Sequence, residues 1–250
     1  MTKTIDLNAD IGELEGDAGR SLDADILSVV TSCNIACGGH AGDEESMRKT
    51  LRLAKKLGVK AGVHPSYPDR ENFGRVSMAV SPEALRASLK QQVQTFMEIA
   101  EDEAVSITHL KPHGALYNDA AKDEDLAAVI AGVAAERGIS TIVGLPGSKV
   151  RDAAITQNLQ FCAEGFADRA YENDGSLRAR AKNGAVLHNA DEQARQAWEL
   201  VSGNVTTFSG EHISLDVQTI CLHGDTPGAF EAAKAIRKAL EATGVFIGSD

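Results

Sequence analysis

The sequence predicts an α/β fold whose parallel sheet closes into a (β/α) barrel, and three observations carry that expectation. Apolar β-type runs alternate with amphipathic helical runs about seven times along the 250 residues, with no composition break or Pro/Ser-rich linker. A parallel strand is reached by a right-handed crossover that lays a helix on the sheet, so this alternation calls for strands inside and helices outside. Aromatic residues make up only 4% of the chain, so Ala, Val, Leu and Ile must build the core, which favours helices on a parallel sheet over an aromatic-rich sandwich. Finally, a doubly wound nucleotide-binding sheet should show GxGxxG or a Walker A loop, and neither "NADIGELEGDAG" nor "GLPGSKV" has that spacing. The length suits one barrel domain spanning residues 1–250.

The expected strands are Thr4–Asn8, Asn34–Cys37, Lys60–Val63, Val105–Leu110, Thr141–Leu145, Gln160–Glu164 and Val217–Leu222. The expected helices are Asp23–Thr31, Glu44–Leu57, Pro82–Glu103, Glu124–Arg137, Lys149–Asn158, Asp191–Ser202 and Pro227–Thr243. Ser81 followed by Pro82 is an N-cap with Pro at the first helical position. Gly58, Gly138 and Gly244 stand where helices should stop. In the second helix Met47, Leu51 and Ala54 make one apolar stripe. Residues 165–190 are polar and fit the alternation least well. They read as a functional loop or lid with a short hairpin around Asp174-Gly175.

The formal charge of −11 comes from 36 acidic and 25 basic residues with no basic run, so neither nucleic acid nor an anionic membrane is an expected partner. The N-terminal "MTKTIDLNAD" has no apolar h-region and no stretch approaches ~18 apolar residues, so a cytoplasmic protein is expected. Four cysteines make no disulfide framework. In "CNIACGGH" an extended Cys33–Cys37 segment would hold its sulfurs roughly 13 Å apart at ~3.3 Å per residue. That is too far for a shared zinc with bonds of ~2.3 Å, so buried small side chains are expected.

Polar residues gather where strands end. The first strand sets Asp6, Asn8 and Asp10 against Ile5 and Leu7, and Glu13 follows. His40 and Asp43 follow the second strand, and His64, Ser66, Tyr67, Asp69, Arg70 and Arg75 the third. Lys111 and His113 follow the fourth, Glu164, Asp168 and Arg169 the sixth, His223 and Asp225 the last. Of the seven histidines, five lie at or just past a strand end, where a barrel assembles its catalytic groups from several loops. A lone strand-end His is more often a capped or half-exposed residue, and Asp69 with Arg70 reads as a surface pair. The repetition across strands outweighs the single-residue reading. In "THLKPHGALYND", residues 109, 111 and 113 share a parity and project to one face, with His109 deepest and Lys111 and His113 towards the rim.

The segments "DLNADIGE", "CNIACGGHAGD", "GVHPSYPDRENFGR", "LKPHGALYN", "EGFADRAYENDGSL" and "LHGD" resemble the lactam-utilisation (LamB/YcsF) family, the A subunits of prokaryotic 5-oxoprolinase, from about residue 5 to 244. One departure is Arg75-Val76, where members often have Arg-Arg. The resemblance implies a seven-stranded, TIM-like parallel (β/α) barrel related to the glycoside hydrolase/deacetylase barrels. It implies ATP-dependent opening of 5-oxoproline (pyroglutamate) to L-glutamate together with B and C subunits. The absent ATP loop agrees with partners that supply the activation.

On that reading Asp10 or Glu13 is the general base, and Lys111 and His113 stabilise developing charge or protonate the leaving nitrogen. Arg75 and Arg169 are candidates for the substrate carboxylate or a phosphate. Asn8, His40, His64, Glu164 and His223 complete the expected substrate-contacting set. A divalent metal on Asp10, His40 and His64 follows from the Asp-His-His set of the related deacetylases. The alternatives are a stand-alone metal-dependent amidohydrolase or deacetylase, and a non-catalytic substrate-binding subunit. The latter fits poorly with so many ionisable rim residues, because binding pockets are mostly apolar.

Overall fold

A computed structural model describes residues 3–225 and 228–248. Seven parallel strands form the barrel: β1 (Thr4–Ile11), β2 (Ser32–Ala36), β3 (Lys60–His64), β4 (Ile107–Leu110), β5 (Thr141–Gly144), β6 (Gln160–Phe166) and β9 (Thr219–His223). They pair in chain order, and β9 closes the ring on β1 with Asp6 opposite Thr219 and Asp10 opposite His223. The seam between β4 and β5 is thin, with Leu110 opposite Ile142 as its single paired position. A two-residue strand, β10 (Phe246–Ile247), runs parallel to the outer start of β1. Between the last two barrel strands, β7 (Asn204–Thr206) and β8 (His212–Ser214) make a small antiparallel pair.

The helices are α1 (Gly16–Leu27), α2 (Glu44–Leu57), α3 (Pro82–Asp102), α4 (Gly114–Ala120), α5 (Glu124–Glu136), α6 (Lys149–Thr156), α7 (Ala190–Val201) and α8 (Ala229–Ala242). Their apolar stripes pack on the outside of the strands. Ile5, Leu7, Ala9 and Ile11 of β1 are buried on that side, as are Met47, Leu51 and Ala54 of α2 and Leu85, Leu89, Val93 and Phe96 of α3. The caps expected from sequence are present. Ser81 accepts from Ala84 N ahead of α3, and Gly58 ends α2 in the left-handed region at φ 71°. Among the described residues no helix is long and apolar enough to cross a membrane.

Several boundaries depart from the sequence expectation, among them β1 and β6, which run on to Ile11 and Phe166, and β2 and β9, which span Ser32–Ala36 and Thr219–His223. The first helix begins at Gly16 instead of Asp23 and ends before Thr31. Thr31 is taken by the barrel, since its N–H donates to Leu7 O at 2.8 Å and its hydroxyl donates to Asp6 Oδ1 at 2.7 Å. The fourth strand starts at Ile107, because Ala104 turns left-handed (φ 50°) and Val105 N closes the end of α3 on Ala100 O. Gly114 opens α4, a short helix not expected from the sequence. It sits at φ 59°, and a Cβ there would lie 2.5 Å from Gly74 O, so only glycine permits that approach. The last helix runs from Ala229, and the expected start at Pro227 lies outside the described residues. The anticipated hairpin at Asp174-Gly175 is present as a tight turn, with Glu172 N donating to Ser176 O at 2.8 Å and one bridge between Tyr171 and Leu177.

Gln92 joins α3 to the loop after β3: its Oε1 accepts from Ser66 N at 3.0 Å and its Nε2 donates to Ser66 O at 2.9 Å. Gln92→Leu would leave both buried backbone groups unpaired, at ~1–3 kcal/mol each. A loss of about 2–4 kcal/mol in urea unfolding is the expected outcome; an unchanged midpoint would show that this bridge contributes nothing.

Candidate active site

The lumen of this barrel is polar. Asp6, Asn8 and Asp10 point inward from β1, Asn34 from β2, His109 and Lys111 from β4 and its end, Glu164 from β6, and Thr219 and Cys221 from β9. Lys111 is 2% exposed. Its Nζ lies 2.9 Å from Asp10 Oδ1, 2.8 Å from Glu164 Oε1 and 3.1 Å from Cys221 Sγ. Burial alone would lower the lysine, but the charge of Asp10, with Cys221 and Glu164 behind it, holds it well above its usual range. Burial likewise pushes the Asp10 carboxyl up, and its interactions with His64 and the Lys111 ammonium outweigh this and hold it well below the ordinary carboxylate value.

A second group lies against the first. Glu13 Oε1 is 3.0 Å from His40 Nε2, 3.1 Å from His113 Nδ1 and 3.9 Å from His64 Nε2. His64 Nε2 is also 3.0 Å from His113 Nδ1 and 3.3 Å from Asp10 Oδ2. The far nitrogens are tied back: His64 Nδ1 donates to Lys111 O at 2.7 Å, and His113 Nε2 donates to Phe73 O at 3.0 Å. Those bonds leave His64 Nε2 and His113 Nδ1 as lone pairs aimed at each other and at a carboxylate. Such a set needs a proton or a cation at its centre, and rings anchored through their outer N–H are how metal-binding histidines are held. One ligand atom from each of Glu13, His40, His64 and His113 falls within 4.8 Å of the others. Burial pulls His40 down to about 3 and lowers His113, so both rings are neutral lone-pair donors at pH 7. The residues therefore fit a divalent metal. Asp10 adjoins this set through His64 but spends Oδ1 on Lys111 and Asn34.

Above these groups is a cavity of about 540 Å³, walled by Asp10, His64, Lys111, His113, Phe166 and His223 and lined also by Arg75, Arg180 and the buried Arg169. Glu13 and His40 stand behind this wall, and Asn8 and Glu164 beneath it. Arg75 pairs with Asp225 at 2.6 Å. His223 Nδ1 lies 2.8 Å from Asp168 Oδ2. Arg169 donates only to carbonyls, Ala185 O at 3.2 Å and Arg178 O at 2.6 Å, and burial brings its pKa down to about 10. Arg180, on the 165–190 segment, has no hydrogen bond or ion pair among the described residues. Burial and the nearby Arg75 lower its basicity.

Other strand-end residues have local work. Asp43 caps α2 with Ser46, and Asp69 accepts from Asn72. Arg70 donates to Gly38 O and Gly42 O instead of pairing with Asp69. Ser66 donates to Tyr67 O, and Tyr67 OH to Asp119. Cys33 and Cys37 are buried and free, as expected of small core side chains. Asn34 and Arg180 escaped the sequence reading. Asn34 carried a signal, an amide inside an apolar strand; Arg180 in a polar loop carried none.

A closed seven-stranded (β/α) barrel with a buried lysine–carboxylate group and a four-residue Glu/His cluster at the carboxyl ends of its strands defines the class, a barrel with an enzyme-type site. The chain belongs to the LamB/YcsF family, whose pattern it matches over residues 5–249. It is 44% identical to the A subunit of 5-oxoprolinase from Pyrococcus furiosus over 243 residues, 96% of this chain and 95% of the relative. It is 45% identical to that of Chloroflexus aggregans over 246 residues, 98% of each. The crystal structure of the lactam utilization protein from Thermus thermophilus superposes with a TM-score of 0.89 at 35% identity, covering 99% of this chain and 100% of that one. A family 4 carbohydrate esterase from Streptomyces lividans, at 10% identity and a TM-score of 0.50 with 99% and 92% covered, shares the barrel fold alone.

Lys111→Met would leave Asp10 and Glu164 buried without their cation, and removing one partner of a buried ion pair costs about 3–5 kcal/mol. The pH dependence should also change sign. In the native chain the depressed Asp10 pKa contributes stability above its unfolded value of about 4, lost as pH falls through and below it. In the variant Asp10 loses that cation beside a second carboxylate, its folded pKa rises above the unfolded value, and stability should increase as pH falls from 7 towards 4. Urea midpoints at pH 7 and 5 test both statements.

Proposed function

We propose that this chain opens the ring of 5-oxoproline to give L-glutamate, acting with separate B and C subunits that spend ATP to activate the lactam. The observation that carries the reading is the Asp10–Lys111–Glu164 group on the floor of the cavity, beside the histidine cluster. Asp10 faces the cavity and Glu13 does not, so Asp10 is the general base: it takes a proton from water as the oxygen attacks the ring carbonyl. Lys111 Nζ offers charge to the oxyanion that develops, an effect that can contribute ~3–4 kcal/mol. The C–N bond then breaks, and the ring nitrogen takes its proton from Lys111, which recovers one from Asp10. The phosphoryl group that the partner subunits place on the amide oxygen stays on the new side-chain carboxyl and is released as phosphate when a second water hydrolyses that acyl phosphate. Arg75 and Arg180, with Arg169 holding the loop that carries Arg180, receive the substrate carboxylate or a phosphoryl group.

A divalent metal on Glu13, His40, His64 and His113 would polarise the carbonyl or activate the water. The same cluster favours a second reading, a metal-dependent amidohydrolase acting without ATP. Titration with zinc or manganese should show one ion bound per chain, raising Tm, and Glu13→Gln with His113→Gln should abolish it; an unchanged Tm at millimolar metal speaks against a metal centre.

The activity test is ATP-dependent glutamate release from 5-oxoproline by the chain with its B and C subunits. Asp10→Asn and Lys111→Ala should each lower kcat by about 10²–10⁴-fold. Near wild-type turnover in both would remove this mechanism. Hydrolysis of an N-acyl substrate by the isolated chain, without ATP, would move the assignment to the second reading.

A further inference from the structure

A chain of side-chain amides runs beneath the proposed base. Asn34 Nδ2 donates to Asp10 Oδ1 at 2.9 Å and to Asn8 Oδ1 at 2.8 Å. Asn8 Nδ2 is spent on Glu164 Oε1 at 3.0 Å and Thr219 Oγ1 at 2.7 Å, and the Thr219 hydroxyl goes on to Asp6 at 2.5 Å. Both neighbours of the Asn34 NH₂ group are therefore acceptors only. If the Asn34 amide were flipped, its carbonyl oxygen would face a carboxylate and a second carbonyl. The one remaining contact, on Asn34 Oδ1, must be a donor, and there His109 Nε2 stands at 2.8 Å.

We infer that His109 is a positioning residue: through its Nε2–H it holds the Asn34 amide in the orientation that presents NH₂ to Asp10. This rests on the reading of Asp10 as the catalytic base. The surroundings are shaped for one tautomer. Nδ1 faces the Thr108 hydroxyl at 2.8 Å, which can donate to it or to Ala61 O at 3.1 Å, so the acceptor at Asn34 Oδ1 is what selects Nε2–H. Burial with the nearby Lys111 charge keeps the ring neutral, its pKa brought down to about 3. The neighbouring strand is notched to admit the ring. A Cβ on Gly62 would lie 2.2 Å from His109 Nε2, and the pairing of β3 with β4 shifts register between Ala61 and Gly62. A residue in the middle of a barrel strand would ordinarily carry a side chain to pack, so a glycine there marks the close approach of another group. The other side of His109 borders a second cavity of about 480 Å³ at the amino ends of the strands, lined also by Asn34 and Thr108.

Two variants of similar length separate donation from packing: His109→Gln keeps an N–H at the Nε2 position, and His109→Met fills the space without one. In the isolated chain, ¹⁵N spectra at pH 7 should show His109 as the neutral Nε2–H tautomer. The Asn34 side-chain NH₂ resonances should stay in place in His109→Gln and move in His109→Met. In the assay with B and C subunits, His109→Met should lower kcat about 10–100-fold with KM nearly unchanged, while His109→Gln stays within about threefold of wild type. Gly62→Ala, which displaces the ring, should follow His109→Met. Imidazole, admitted through the second cavity, should restore turnover to His109→Ala. An Nδ1–H tautomer, or equal activity in the Gln and Met variants whether high or low, overturns the inference. If Asp10→Asn itself retains activity, the ring-opening reading has failed instead, and the tautomer and the Asn34 resonances still decide the orientation.

Discussion

The structure is organised around a buried lysine between two buried carboxylates. Taking Lys111, Asp10 and Glu164 out of water is costly, and the cost falls with each ion-pair partner and each hydrogen-bond donor that the carboxylates gain. Lys111 has both carboxylates within 2.9 Å, Asp10 also accepts from Asn34, and Glu164 also accepts from Asn8. The amides that satisfy the carboxylates must themselves be satisfied, by Thr219 and His109. One ion group thus dictates the polarity of most of the lumen, down to the amino ends of the strands. A barrel interior is ordinarily packed with branched apolar residues; here most of the apolar packing lies between strands and helices, with Val143 and Phe166 among the few apolar groups facing the lumen.

Much of this architecture could be read before the structure, because it follows from periodicity. The runs at Lys60–Val63 and Glu44–Leu57 carry their own boundaries, since the helix is capped at Asp43 and the glycine that ends it, Gly58, stands just ahead of the strand. The boundaries that could not be read are those decided by partners distant in sequence. Thr31 looks helical until Leu7 and Asp6 claim it. The short helix opened by Gly114 depends on the close approach of Gly74 O, which nothing nearby in sequence announces. Short elements such as β7, β8 and β10 owe their existence to packing and leave no period to detect.

The proposed site divides in the same way. Strand-end position brought Asp10, His64, Lys111, His113, Arg75, Arg169 and His223 to one cavity wall, because a barrel sends every strand end to the same rim. Depth could not be read. Glu13 and His40 come from loops as polar as the rest, yet pack behind His113 and His64. Which carboxylate joins the histidines and which joins the lysine depends on the barrel's register, set by pairings such as Asp10 with Asn34 and Asp10 with His223. Arg180 depends on how a long loop folds back, and no local pattern encodes that.

Ring closure also has a consequence for synthesis on the ribosome. The barrel seals when β9 meets β1, and the Thr219–Asp6 bond joins residues 213 positions apart. Asp10 emerges early, its lysine 101 positions later, and the Asn8–Glu164 link spans 156. The nascent chain must therefore carry charged, strand-forming segments unpaired until nearly all of it has been made. Topologies dominated by such distant contacts fold slowly and expose unpaired strand edges while they wait. Charged side chains on those inward faces make the waiting edges poor templates for pairing with other chains. The residues proposed to open the ring would in this way also keep the unfinished barrel soluble.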